Sequence, residues 1–84
     1  MVDISSKLEG KVVAITGASG YIGSALVQEL EKYSLKIIRI SRKQLVPKDG
    51  VEDWTLDLNK KSSWIRIVSK SDIIFHLSGN TSIY

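Results

Sequence analysis

Residues 16–23 read TGASGYIG and place three glycines, Gly17, Gly20 and Gly23, at intervals of three between an apolar run and a stretch of helical periodicity. Upstream, residues 11–16, KVVAIT, are β-branched and almost wholly apolar, as in a parallel strand buried on both faces. Downstream, Ile22, Ala25, Leu26, Leu30 and Tyr33 recur at helical spacing, with Ser24, Gln28, Glu29, Glu31 and Lys32 mostly opposite. That spacing predicts an amphipathic helix of about three turns. Taken alone, such glycines simply turn a chain. Between a buried strand and an amphipathic helix they stand where a dinucleotide pyrophosphate binds. The first permits a tight turn, the middle one lets backbone N–H groups approach phosphate, and Gly23 lets the helix press on the strand. The helix N-terminus adds about half a positive charge and unpaired donors. A nucleoside-triphosphate loop is excluded, because Ser24-Ala25 follow Gly23 where that loop needs lysine and a hydroxyl residue.

Outward from this stretch, strand and helix patterns alternate. Residues 36–41, KIIRIS, predict a second strand. Residues 42–52, RKQLVPKDGVE, combine proline, glycine and charges as a surface loop does. Residues 53–58, DWTLDL, predict a third strand ending near Asp57, and 59–70, NKKSSWIRIVSK, a second helix capped by Asn59 with Trp64, Ile67 and Val68 on one face. Residues 72–78, DIIFHLS, are a further apolar strand. The order β-α-β-β-α-β predicts an α/β fold, a partial Rossmann-type parallel sheet forming the first half of a doubly wound architecture.

Composition bounds what such a unit can do. Eighty-four residues, 43% hydrophobic and 25% charged, allow one core. Without cysteine there is neither a disulfide nor a thiolate metal site, and one histidine builds no zinc site alone. The N-terminus lacks the apolar segment of a secretory signal, and no run reaches the roughly 20 residues of a membrane span. A cytoplasmic protein with no membrane partner is expected. The net charge of +3 suits an anionic small molecule; nucleic acid is not expected, since no aromatic platform accompanies the basic stretch at 36–43.

TGASGYIG, the Asp57-Leu58 pair and IIFHLSG at 73–79 occur in order and together resemble the extended short-chain dehydrogenase/reductase family, the NAD(P)-dependent sugar-nucleotide epimerases and dehydratases. The resemblance runs from about Gly10 to Tyr84 and covers only the first part of the family's length. It implies that Gly17, Ser19, Gly20, Tyr21, Ile22 and Gly23 hold the pyrophosphate and that Asp57 and Leu58 face the adenine. It implies further that Leu77, Ser78, Gly79 and Thr81 pass beside the ribose and nicotinamide. Ser78 and Gly79 stand where the family usually has two alanines, and both are small. Asp57 has a second reading as a cap for the following helix.

The end of the second strand bears on the cofactor. Where an NAD enzyme carries an acidic residue, this chain has none between Leu35 and Lys48 and offers Arg39, Ser41, Arg42 and Lys43. Ser41 and Arg42 suit a 2′-phosphate, so NADP is favoured over NAD. His76 reads as a hydrogen-bonded structural residue, and Trp54 and Trp64 as packing residues. The family's Tyr-x-x-x-Lys pair is absent: Ala25 lies four residues after Tyr21, Ile37 after Tyr33, and Tyr84 is last. No catalytic residue is therefore assigned. The expectation is the N-terminal portion of a Rossmann domain whose remaining sheet and sugar-nucleotide domain lie elsewhere, inactive alone and binding cofactor weakly. The alternative is a non-catalytic nucleotide-binding or redox-sensing module. An unprotected fourth strand is expected to pair copies into a homo-oligomer.

Overall fold

The computed structural model describes residues 7–77. Four strands form one parallel sheet in the order β3-β2-β1-β4, with β1 at Val12–Thr16, β2 at Lys36–Ser41, β3 at Val51–Thr55 and β4 at Ile73–His76. Helix α1, Tyr21–Leu30, joins β1 to β2; helix α2, Lys61–Lys70, joins β3 to β4. This is the expected partial Rossmann-type α/β unit.

Strand alternation divides the core between the two sheet faces. Val13, Ile15 and Ile37 pack with Ala18, Val27 and Leu30 on the α1 face. Ala14, Ile38, Ile40 and Trp54 pack with Ile67 on the α2 face. Both faces of β1 and β2 are thus covered, which is why these strands read as continuous apolar runs. Among the described residues β4 pairs only with β1, and its four residues are half-buried. At its entry, Asp72 exchanges two bonds with Val12: the Val12 N–H donates to Asp72 Oδ2 and the Asp72 N–H to the Val12 carbonyl, each at 2.8 Å.

Three sequence expectations change. The third strand runs over Val51–Thr55 rather than 53–58, because its ladder lies opposite Ile37 to Ser41 and ends where β2 ends. One further bond, from the Leu56 N–H to the Ser41 carbonyl, precedes the turn at Asp57. Asn59 does not cap α2. Lys60 occupies that position without a side-chain cap bond, while the Asn59 N–H donates to Asp57 Oδ1 at 2.9 Å. Both helices are also rotated from their anticipated faces. Gly23, Val27 and Leu30 are the buried residues of α1, whereas Ile22 and Ala25 are exposed; Ser63 and Ile67 are those of α2, with Val68 exposed. Close approach at Gly23 sets the first rotation. The Ser63 hydroxyl, donating to the Asp57 carbonyl at 2.7 Å, accompanies the second.

Candidate functional site

The chain leaves β1 through Gly17, whose φ of +73° disfavours residues bearing a Cβ. The turn closes through the Gly20 N–H on the Gly17 carbonyl at 3.1 Å, and α1 begins at once. A Cβ on Gly23 would collide with the Gly17 carbonyl and lie 2.8 Å from the Ala18 Cα, so this glycine is demanded by packing. Gly20 differs. A Cβ there would meet only the Gly17 carbonyl, at 3.4 Å, an ordinary contact. Internal packing therefore does not require glycine at the helix entrance. Gly20 is also the N-cap residue, makes no side-chain cap bond, and is followed by no acidic residue in the first turn. No carboxylate of the first turn meets the positive end of the helix, which suits a site for an external anion.

Beside this loop, at the carboxyl ends of the strands, lies a cleft of about 440 Å³. Gly17 and Ser19 line it after β1, Ile40, Ser41, Arg42 and Lys43 at and beyond the end of β2, and Leu58 after β3. Ser41 is buried, its Oγ accepting the Lys43 N–H at 3.3 Å. Arg42 and Lys43 are exposed, and among the described residues neither enters an ion pair. They give the cleft a cationic rim.

The other expected residues sort themselves around this geometry. Tyr21 and Ile22 stand in the first turn of α1, 91% and 61% exposed. Asp57 is exposed beside the cleft but organises a turn: its Oδ1 accepts the Asn59 N–H, and its carbonyl accepts the Lys60 N–H and the Ser63 hydroxyl. Leu77 lies beside the end of β1, its N–H donating to the Thr16 carbonyl and to Thr16 Oγ1. Ser78, Gly79 and Thr81 fall outside the described residues. His76 is half-buried, with Nδ1 at 2.7 Å from Thr16 Oγ1 and its ring edge-on to Trp64, the structural surroundings expected of it. Among the described residues no cluster of His, Cys, Asp or Glu is arranged for a metal ion.

Arg39, one of the four polar residues offered around the end of β2, is not among the cleft-lining residues. It stands opposite Asp53 in the β2–β3 ladder and grips that carboxylate through Nε and Nη2 at 2.6 and 2.8 Å. The Asp53 hydrogen bond raises its already high pKa, keeping it charged. Sequence reasoning missed this commitment, and also missed the buried Thr16. A polar residue closing an apolar strand was the available signal for Thr16.

Residues 13–83 match the NAD dependent epimerase/dehydratase family. No curated protein sequence matches the chain. Among solved structures, uronate dehydrogenase from Agrobacterium tumefaciens is similar with a TM-score of 0.75 and 25% identity, over 84% of this chain and 27% of that one. A short chain dehydrogenase from Leptospira borgpetersenii with bound NAD+ is similar in fold, with a TM-score of 0.73 and 24% identity, over 98% and 36%. MoeE5 in complex with UDP-glucose and NAD gives 0.67 and 30% identity, over 83% and 23%. The chain thus corresponds to a minor part of each of these proteins' length.

Proposed function

Because the chain belongs to the NAD dependent epimerase/dehydratase family, we propose that it binds a nicotinamide dinucleotide as the N-terminal part of an NAD(P)-dependent sugar-nucleotide epimerase, dehydratase or reductase acting in the cytoplasm. The observation that carries this reading is the α1 entrance. Gly20 is a glycine that packing does not demand, at a helix start with no side-chain cap bond and no first-turn carboxylate, beside a cleft at the carboxyl ends of β1 and β2. The pyrophosphate lies on Gly17, Ser19, Gly20, Tyr21, Ile22 and Gly23, and the adenosine enters the cleft toward Leu58 and Asp57. Bound there, the cofactor supplies a hydride acceptor or donor. The residues described contribute binding and orientation and no proton-transfer group.

NADP is the preferred cofactor, with Arg42 and the Ser41 hydroxyl receiving the 2′-phosphate; their place beside the cleft and the absence of an acidic residue between Leu35 and Lys48 support this. Leu77, Ser78, Gly79 and Thr81 approach the nicotinamide side. A sugar nucleotide is the substrate of the complete enzyme, a reading supported by the UDP-glucose bound to MoeE5. NMR titration of the protein with NADP and NAD tests the cofactor assignment. NADP is expected to bind more tightly, and Arg42→Ala to lose about tenfold in NADP affinity with NAD unchanged. Tighter binding of NAD, or an Arg42→Ala variant with unaltered NADP affinity, removes the preference. Absence of binding by either dinucleotide removes the function for this chain.

A further inference from the structure

The four side chains that the sequence offers around the end of β2 do different work. Arg42 and Lys43 reach the cleft untied, whereas Arg39 is engaged through Nε and Nη2. Its Nε donates to Asp53 Oδ1 at 2.6 Å, and its Nη2 to Asp53 Oδ2 at 2.8 Å and to the Val46 carbonyl at 2.9 Å. The pair is held in register by the β2–β3 ladder, with the arginine side chain 13% exposed and the aspartate 24%. Asp53 cancels the guanidinium charge, so Arg39 is a poor partner for a ligand phosphate. Its remaining bond reaches the backbone of the loop that carries Arg42 and Lys43. That loop is fixed again on either side of Val46, where Leu45 packs against the α1-side core and Lys48 Nζ meets Glu31 Oε1 at 2.5 Å. Between the end of β2 and the Val46 anchor only residues 42–45 span the gap.

Resting on the reading that the cofactor carries a 2′-phosphate, we propose that Arg39 is a positioning residue for recognition of that phosphate. Bound to Asp53 and to the Val46 carbonyl, it holds the arc of residues 42–45 so that Arg42 and Lys43 stand at the cleft already oriented. Two long side chains on a free loop would have to be ordered when the ligand binds, and fixing the backbone beforehand lowers that cost. Lysine cannot replace the device, because a point charge on a flexible stem does not span a carboxylate and a carbonyl in one plane.

The test compares two probes, 2′,5′-ADP and 5′-AMP, which share the adenosine and the 5′-phosphate and differ in the 2′-phosphate. In NMR titrations the native protein is expected to favour 2′,5′-ADP by about tenfold, and Arg39→Lys to reduce that advantage to about twofold while 5′-AMP binding holds. Pro47→Gly loosens the same loop without touching the ion pair and is expected to erode the advantage in the same way, which keeps the test decisive if Arg39→Lys folds poorly. If Arg42→Ala abolishes discrimination while Arg39→Lys and Pro47→Gly retain it, the positioning role is overturned and the cofactor reading stands. Equal losses for both probes would mark Arg39 as structural only and overturn the proposal. If the native protein does not discriminate, the 2′-phosphate reading falls and the positioning role with it.

Discussion

Gly20 and Gly23 lie three residues apart and look alike in sequence, yet the space around each assigns them opposite duties. Alanine at Gly23 forces a methyl group into the Gly17 carbonyl, and the expected cost is about 3 kcal/mol or more, enough to unfold much of a chain this small. Alanine at Gly20 meets one ordinary contact and should cost under about 1 kcal/mol, chiefly through a poorer cap. Thermal melts of both variants check the contrast, and cofactor titration of Gly20→Ala completes it. Affinity should fall with the fold intact, because the methyl group stands where phosphate would approach the helix. A Gly20→Ala variant that binds cofactor as well as the native protein would place the pyrophosphate elsewhere. Among the titrating groups, Glu52 has its pKa held below the ordinary 4.5, first by the Trp54 indole N–H and then by Lys36. A carboxylate lowered on folding contributes stability that is present above about pH 4.5 and is lost as pH falls through the folded value. Its exposure limits the effect to roughly half a kcal/mol. Melting at pH 6 and pH 3 should therefore show a slightly smaller acid-induced drop in Glu52→Gln than in the native protein.

At the scale of elements, the β2–β3 connection is the informative one. It contains no helix among the described residues, and its loop crosses the α1 face, where Leu45 packs and Lys48 meets Glu31. A loop tied at several points can present cationic side chains in a fixed direction, which an unanchored tether of the same composition cannot. The two helices show why periodicity located them but misjudged their facing sides. In α1 the apolar residues extend around more than one side, so Ile22 and Val27 competed for the interior, and the contact at Gly23 decided for Val27. In α2 the same contest left Ile65 and Val68 exposed at 59% and 62%.

The exposed residues of α2 acquire meaning only in the whole molecule. Trp64 turns toward β4, edge-on to His76, while Arg66 lies over Trp54 of β3 at 4.1 Å, so the apolar strip of Trp64 and Val68 lies on the β4 flank of the helix. Next to it is a strand that, among the described residues, is paired on one side only. An unprotected edge beside an apolar helix flank is suited to pairing with a second copy of the chain. Sedimentation or light scattering should show mass rising with concentration toward a dimer, and Val68→Glu should shift that equilibrium to monomer without lowering the melting temperature. A constant monomer mass at high concentration would remove the oligomer from the account. Among the described residues no helix is long and apolar enough to cross a membrane.

How much was legible differs with the range of the forces involved. The sequence by itself determined the order of elements, the buried character of β1 and β2, and the strand-glycine-helix junction. Strand period, helix period and the steric freedom of glycine are local properties written in residue type. It also determined that a cationic segment follows β2. Only the tertiary structure decided that Arg39 serves Asp53 and the Val46 carbonyl rather than the cleft, because that depends on which residue of a later strand lies opposite. Likewise, β3 ends at Thr55 because β2 ends at Ser41, Asp57 shapes a turn, and Gly23 sets the rotation of α1. The strand end depends on a ladder between segments distant in sequence, whereas the turn and the rotation depend on nearby contacts, Asp57 with Asn59, Lys60 and Ser63 and Gly23 with Gly17 and Ala18, whose geometry residue type alone does not specify.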